Sequence, residues 1–258
     1  FFKTLSSLPL KGVGINEWIK NKNSHIFISY LDKMANIDSY NFLESPYWGS
    51  LPKILERDSK RSNWIHIFVK DNYLKNPKEA SIHLKNMNKF GSQFQSHAAL
   101  YSFMNFRVLY RVFNDLFKLF LNSFKIQFEN NLPELCGFQL WDIYEKDILS
   151  SAYGQTCADN LLNLNLFEEA FQYLNNPRNC SYLLENQGWE LSMLSSWRRY
   201  TKSQAIGFCH ATVRFWDLRY FSNKDQYLDN SDLSKPRPDI LAVNSSDAYS
   251  LFKKEKYP

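Results

Sequence analysis

Glycine is scarce in this chain. Its eight glycines among 258 residues are about 3% of the sequence, against about 7% in an average protein. Neither a GxGxxG string nor a GxxxxGK(S/T) string occurs, so both glycine-rich fingerprints of nucleotide-binding loops are missing. The sequence therefore gives no sign of a P-loop or of a glycine-rich dinucleotide-binding loop.

Cysteine pairs and long apolar runs are also missing. No CxxC string occurs among the four cysteines, which are Cys136, Cys157, Cys180 and Cys209. Their spacing indicates neither a zinc site nor a disulfide framework, and we expect reduced, buried thiols. No stretch reaches the roughly 18 apolar residues of a membrane-spanning helix. The first residues lack the pattern of a secretory signal peptide.

Charge of one sign is not concentrated anywhere along the chain. The 31 basic and 26 acidic residues leave a formal net charge of +5. Basic groups such as residues 57–61 and 253–256 are interrupted by acidic or polar residues. A nucleic-acid interface needs Lys and Arg gathered on one face. We therefore expect solvated basic faces and no nucleic-acid partner.

Apolar and aromatic residues are plentiful, at 44% and 17% of the chain. Such a composition excludes a disordered or collagen-like protein, and a chain of this length buries roughly three quarters of its unfolded surface. We expect one α/β domain over residues 1–258. Because the chain starts at Phe1 and stops at Pro258 directly after a predicted helix, we expect a fragment of a longer protein.

The first two thirds of the chain predict two buried strands and several helices. Short apolar runs predict strands at residues 25–31 and 64–69. Pro52 in a first turn fits a short helix at residues 51–57, and apolar residues at steps of three and four predict a helix at residues 97–124. Further helices are predicted at residues 78–90, 138–151 and 158–174. Residues 78–175 are therefore expected to be mainly helical. The aromatic stripe of residues 97–124 is expected to pack in the core rather than to form a cofactor site.

Residues 179–258 give the clearest βαβ pattern. Strands are predicted at residues 180–184, 205–209 and 239–243, with helices after the first and the third. Asn186 is a candidate N-cap of the first helix, and Asn244 or Ser245 of the second. Short apolar strands alternating with helices imply parallel pairing and right-handed crossovers. The pattern predicts a Rossmann-like parallel sheet with a large helical middle segment.

Two chemically useful side chains follow consecutive predicted strands. Glu185 and His210 stand 25 positions apart, a spacing that suits one βαβ step. Ligands bind beyond the carboxyl ends of parallel strands, where a carboxylate and an imidazole could act as general base and charge partner. The alternatives are a solvated strand end or an arginine partner for Glu185, and a structural hydrogen bond for His210.

Arginines and aromatics near these strands are candidate binding residues. Arg214 or Arg219 could hold a carboxylate or phosphate in its planar fork. The alternative is an internal ion pair between Asp217 and one of these arginines. Trp189 and Trp197 could stack on a sugar or base, with packing in the helix core as the alternative.

Several strings resemble the bacterial surface carbohydrate biosynthesis family, whose members look like GT-B type glycosyltransferases. The match is sharpest from residue 182 onward. Its strings are YLLENQGWE (182–190), GFCH (207–210), RFWDLRYF (214–221), PRPDI (236–240), VN (243–244) and YP (257–258). Upstream, WIH (64–66) and SAYG (151–154) also fit.

The resemblance implies a fold and a site. This chain would be the N-terminal half of a GT-B-like architecture, and the missing C-terminal half would grip most of a nucleotide sugar. Glu185 would be the catalytic base, and His210 matches a histidine whose turn here reads FCHA, without the usual glutamine and glycine. Substrate contacts are predicted for six residues: Asn186, Gln187, Trp189, Arg214, Asp217 and Arg219. No metal is implied, and no cofactor beyond the donor itself.

Two functions of different classes follow from these expectations. In the first, a glycosyltransferase moves a sugar from a nucleotide-activated donor to a growing glycan or lipid-linked glycan of lipopolysaccharide or capsule. In the second, a non-catalytic Rossmann-like module binds a glycan or a partner. We expect a cytoplasmic location, either free or peripheral at the inner membrane. The fragment alone is expected to be inactive, and the sequence does not name the donor or acceptor.

Overall fold

The structure is a computed structural model and describes residues 5–31, 47–125, 134–135, 138–214, 220–221, 235–255 and 257. Eight strands lie in these ranges, six of them in one sheet and two in a small antiparallel hairpin. The strands are β1 His25–Leu31, β2 Ser62–Phe68, β3 Gln95–Ala99, β4 Glu134–Leu135, β5 Phe138–Gln139, β6 Asn179–Leu183, β7 Gln204–Cys209 and β8 Ile240–Val243.

Helices connect the strands of the sheet. The described α-helices are α1 Ile15–Lys20, α2 Leu51–Arg57, α3 Pro77–Phe90, α4 Phe106–Ser123, α5 Leu140–Ala152, α6 Gln155–Phe171, α7 Gly188–Tyr200 and α8 Ser246–Lys254. Short 3-10 helices occupy Leu8–Leu10 and Leu100–Phe103. Among these described helices, none combines the length and apolarity needed to cross a bilayer.

The six-stranded sheet has the order β3-β2-β1-β6-β7-β8, and every pairing in it is parallel. After β3 the chain returns through α4, α5 and α6 to place β6 directly beside β1. The strand order therefore changes direction between β1 and β6, as in the doubly wound α/β folds. The predicted Rossmann-like parallel sheet is confirmed, and the five predicted strands are found within two residues of their expected bounds.

The core lies on both faces of the sheet because side chains alternate along each strand. Ile26 and Ile28 of β1 face a cluster with residues of α6 and α7. Phe27 and Leu31 face the opposite cluster, where Phe27 stacks on Trp64 with ring centroids 4.3 Å apart. This double burial explains why β1 reads as a continuous apolar run in the sequence.

The predicted helix over residues 97–124 is wrong at its start. Gln95–Ala99 forms the edge strand β3, all five of whose residues are buried, and it pairs with β2 from Ser62 to His66. Its polar side chains find partners inside the protein, since the Ser96 hydroxyl donates to Asn63 Oδ1 at 2.7 Å. The helix α4 begins only at Phe106, where the Asn105 side chain accepts from the Val108 amide.

The expected core packing of the aromatic stripe is also wrong for α4. Within this helix only Val108 and Ser123 are buried, whereas Phe106, Tyr110 and Phe113 are exposed. The earlier apolar residues of the predicted stripe do reach the core, because Leu100 and Phe103 lie in the 3-10 helix before α4. The stripe is therefore divided between a buried turn and an exposed helix face.

A left-handed glycine fixes the start of α1 against β3. Gly14 has φ 77°, and a Cβ at this position would overlap the carbonyl oxygen of His97. Gly12 has a similar φ of 79°, but no atom lies within 4 Å of where its Cβ would be. The two positions thus share the same backbone conformation and differ in the space around it.

We predict that Gly14→Ala destabilises the fold more than Gly12→Ala. Both replacements place a side chain in the left-handed region, which costs about 1–2 kcal/mol. Only Gly14→Ala adds overlap with backbone, so its free energy of unfolding falls by at least about 2 kcal/mol more. Urea unfolding of the two variants measures the difference, and equal losses would contradict the close approach.

A buried pair of histidines lies on β2 and on the edge strand β3. The His66 Nε2 and His97 Nδ1 atoms are 3.1 Å apart, and both residues are nearly inaccessible to solvent. Burial lowers the pKa of His66 to about 3, with a smaller contribution from the charge of His83. Burial also holds the pKa of His97 well below its ordinary value. Both imidazoles are therefore neutral in the folded protein at neutral pH.

We predict that His66→Gln destabilises the fold less as the pH falls. Below about pH 6.5 the unfolded chain protonates His66 while the folded protein does not, so acid lowers the stability of the wild type. The variant lacks this group. The difference in unfolding free energy should narrow by about 1.4 kcal/mol per pH unit between pH 6 and pH 4. Parallel stability curves across this range would show that His66 is not held neutral.

Candidate functional site

The predicted site lies at the point where the strand order reverses. Tyr30 is near the end of β1, Glu185 follows β6, and His210 follows β7 directly. Because β1, β6 and β7 are adjacent and parallel, these residues lie together at the carboxyl ends of the strands. Crevices at these ends bind ligands in open α/β sheets.

The Glu185 carboxylate contacts both of its neighbours at these strand ends. Its Oε1 lies 3.1 Å from His210 Nε2, and its Oε2 accepts a hydrogen bond of 2.9 Å from the Tyr30 hydroxyl. The side chains of Glu185 and His210 are each 22% exposed. Both therefore remain accessible at the surface formed by the carboxyl ends of these strands, which we call the rim. The structure thus brings together the acid and the imidazole that the sequence singled out.

Trp189 supports Tyr30 from the first turn of α7. Its Nε1 atom lies 3.4 Å from the Tyr30 hydroxyl oxygen, and the two rings meet edge to face at 6.1 Å. Burial raises the pKa of the Tyr30 phenol above its ordinary value, and the hydrogen bond to Glu185 adds to this shift. Trp189 itself is 9% exposed, so its predicted contact with substrate stays a prediction.

Glu190 holds the backbone that carries Glu185. Its Oε1 accepts from the Glu185 amide at 2.9 Å and from the Gln187 amide at 2.8 Å. Burial raises the pKa of Glu190 to about 7, the backbone hydrogen bonds oppose this shift, and the charge of Glu185 adds to it. Its Oε2 is buried without a hydrogen-bond partner among the described residues.

Side chains from two other segments hold His210 and the start of the loop after β7. Tyr47 packs edge to face against its ring, with centroids 5.1 Å apart. The Asn244 side chain, which follows β8, donates to the carbonyl oxygens of His210 and Ala211 at 3.3 and 3.2 Å. The Nδ1 atom of His210 is buried and has no partner in the part of the chain that is described. The ring is therefore oriented towards Glu185 by packing.

The other predicted binding residues lie on the outside of the rim or beyond the described ranges. Asn186 and Gln187 are exposed in the loop between β6 and α7, and Arg214 is exposed four residues after His210. Asp217 and Arg219 lie outside the described residues. Substrate contact for these five residues stays a prediction.

The predicted N-cap of α7 is wrong by one residue. Asn186 has φ 58°, in the left-handed region, and the N-cap of α7 is Gln187. The Gln187-x-x-Glu190 spacing supplies one half of a capping box, because Glu190 reaches back to the Gln187 amide. For α8 the second of the two proposed caps is found, since the Ser245 hydroxyl oxygen accepts from the Ala248 amide.

Four residues of the site were missed by sequence reasoning: Tyr30, Tyr47, Glu190 and Asn244. Tyr30 sits inside an apolar run, and only the placement of β6 beside β1 brings it to Glu185. The position of Glu190 three residues after Gln187 is a capping signal that could have been recognised. No local pattern marks Tyr47.

The arrangement can accept a proton at Glu185, and the contacts with Tyr30 and His210 stabilise the negative charge that the carboxylate carries before it does so. Each carboxylate oxygen has two lone pairs, so contacts with Tyr30 and His210 leave acceptor capacity for a ligand hydroxyl. The loop before α7 is already occupied by an acidic side chain, because Glu190 binds the Glu185 and Gln187 amides. A ligand phosphate would therefore need cations elsewhere on the rim.

We compared the chain with protein families, characterised proteins and solved structures, and none of these comparisons finds a match. The fold and the rim geometry define a doubly wound α/β protein. A carboxylate and an imidazole are in contact beside the point where its strand order reverses.

We predict that Glu190→Gln destabilises the fold more at pH 5 than at pH 8. Glu190 has a higher pKa in the folded protein than in the unfolded chain, so folding takes up a proton between about pH 4.5 and 7. The stability that this group contributes is present in acid and is lost as the pH rises. Urea unfolding should show the gap between wild type and variant shrinking by about 1 kcal/mol or more.

Glu17→Gln is the matched control for this prediction, because Glu17 is exposed on α1. It should show no comparable change in its stability difference between the two pH values. A gap that widens for Glu190→Gln with rising pH would contradict the burial of a carboxyl group at this position.

Proposed function

We propose that this protein is the acceptor-side half of a glycosyltransferase that builds bacterial surface polysaccharide. It would transfer a sugar from a nucleotide-activated donor to a hydroxyl of a growing or lipid-linked glycan. The observation that carries the proposal is the contact of 3.1 Å between Glu185 and His210 at the carboxyl ends of β6 and β7. The resemblance of residues 182–221 supplies the reaction class.

Glu185 would act as the general base. The acceptor hydroxyl would donate its proton to a carboxylate oxygen of Glu185 while the hydroxyl oxygen forms the bond to the anomeric carbon of the donor. The bond from that carbon to the nucleotide phosphate breaks, and the phosphate keeps the electron pair. His210 would hold the carboxylate in place and stabilise its charge before transfer.

The donor phosphates would be bound away from the loop between β6 and α7. Glu190 already takes the Glu185 and Gln187 amides of this loop, and the Glu185 carboxylate beside them would repel a second anion. The exposed side chain of Arg214 lies on the loop that follows β7 and could pair with a phosphate. A C-terminal half of the kind that the resemblance implies would supply most of the remaining donor contacts.

A second candidate function is a non-catalytic module that binds a glycan or a partner. One observation favours it: both oxygens of Glu185 already have partners within the protein. A carboxylate fixed in this way could serve to shape the rim, and sugar hydroxyls would then bind around it without being deprotonated.

We predict that Glu185→Gln abolishes transfer while leaving the fold intact. The amide keeps the size of the side chain and can accept a hydrogen bond from Tyr30, but it cannot take up a proton. Turnover should fall by at least about 100-fold. The measurement is nucleotide release from UDP-, GDP- and CMP-sugars by the full-length protein, with glycan acceptors present and circular dichroism as the folding check.

The exposed variant Glu17→Gln should retain wild-type turnover. Transfer that persists unchanged in Glu185→Gln would remove this residue from the mechanism. No turnover by the wild-type full-length protein, together with thermal stabilisation by a glycan, would favour the binding module.

A further inference from the structure

One face of α4 presents an unusually large row of exposed apolar side chains. Phe106 is 83% exposed, Phe113 70%, and Phe124, the residue that follows the helix, 73%. We call this set the aromatic face, and its eight members are Phe106, Leu109, Tyr110, Phe113, Phe117, Phe120, Leu121 and Phe124, all at least 40% exposed.

The aromatic face is continuous along the helix. At 3.6 residues per turn its members fall within an arc of roughly 120°, and the row extends for roughly 27 Å. Its six aromatic rings expose on the order of 700 Å², which exceeds the roughly 300–600 Å² of the largest apolar patch on a typical monomer. A patch of this size indicates an interaction surface.

The opposite side of α4 is fixed to the body of the protein. Val108 is fully buried, and Arg111 reaches Glu168 Oε2 at 3.3 Å and Glu169 Oε2 at 3.1 Å on α6. The Asn105 side chain donates to Glu169 Oε1 at 2.8 Å. The helix is therefore held in place with most of its rings directed away from the fold, while the Phe120 ring meets Tyr153 edge to face at 5.8 Å.

Basic side chains run along one edge of the aromatic face. Arg107, Lys118 and Lys125 are exposed and fall roughly 100–120° from the centre of the arc. The structure shows none of the three in an ion pair within its described ranges. Asp115 is the acidic residue of this helix, and it lies roughly 180° from the centre, away from the arc.

From this combination we propose that α4 docks this protein on a membrane surface that contains anionic lipids. Interfacial helices place Phe and Leu among the acyl chains and keep Lys and Arg at the level of the headgroups. Here the rings form a convex ridge, and the cations line its edge where lipid phosphates would lie. Anionic lipid attracts each such cation, so charge and apolar surface act together.

A second copy of the chain fits the same face less well. Two helices that pack antiparallel about a two-fold axis bring the same edge of each helix together. The basic edge of one helix would then face the basic edge of the other, with Arg107 at the level of Lys125 of the second copy, and like charges across an interface oppose association. A flat anionic surface has no such conflict.

The test is flotation of the full chain with vesicles of phosphatidylcholine alone or with 40% phosphatidylglycerol. We expect binding to the anionic vesicles and at least about tenfold weaker binding to the neutral ones. The double variant Phe113→Ser/Phe117→Ser should weaken anionic binding at least about tenfold without loss of thermal stability. Its matched control is Tyr73→Ser/Ile82→Ser, at exposed positions in the loop before α3 and on that helix, which should bind like the wild type.

A charge variant separates the two contributions. Arg107→Gln/Lys118→Gln/Lys125→Gln should lose the preference for anionic vesicles, whereas Lys75→Gln/Lys78→Gln/Lys85→Gln, with the same change in charge, should keep it. Absence of binding to anionic vesicles would overturn the proposal. So would binding that Phe113→Ser/Phe117→Ser leaves unchanged. A wild-type dimer that this variant converts to monomer, without vesicle binding, would assign the face to a second copy.

Discussion

One carboxylate joins the ends of three adjacent strands in this protein. Glu185 follows β6 and contacts Tyr30 of β1 on one side and His210 after β7 on the other. The contact with Tyr30 spans the point at which the strand order reverses, where the crevice of a doubly wound sheet lies. A ligand in this crevice would therefore lie next to the Glu185 carboxylate.

The surroundings of Glu185 explain how it keeps this position while partly exposed. Single polar contacts that solvent can reach contribute little by themselves, so the contact with His210 is not the main support. Glu190 fixes the backbone amides on both sides of Asn186, and Trp189 shields the Tyr30 hydroxyl. The charge of Glu185 in turn raises the pKa of Glu190, in addition to burial. Glu185 is thus partly exposed at the rim, whereas Glu190 is buried under the loop that carries Glu185.

The meeting of Glu185 and His210 could be predicted from the sequence because β6 and β7 are consecutive along the chain and adjacent in the sheet. Tyr30 could not be predicted in the same way. Its strand is the first of the described strands, and its pairing with β6 crosses more than 140 positions, from His25 to Asn179. Local patterns carry no information about such pairings. Glu190 is a different case, because its capping position can be read from its spacing to Gln187.

Two parts of the fold show where apolar patterns mislead. The strand β3 is built from Gln, Ser, His and Ala, and it is buried because its polar groups bond to β2 and its neighbours. Helix α4 has a strongly apolar stripe that lies in solvent. Periodicity shows which residues share a face, but the tertiary structure decides whether that face is covered. For this reason the sequence alone could not show that the aromatic face of α4 is exposed.

A double-mutant cycle between Glu185→Ala and His210→Ala tests the central interaction most directly. The unfolding free energies of the wild type, both single variants and the double variant are measured in urea at pH 7. If the two side chains are in contact at the rim, the losses should not add, and the coupling free energy should be at least about 0.5 kcal/mol. Losses that add to within about 0.3 kcal/mol would show that the two groups do not interact, and the proposed site would have no physical basis.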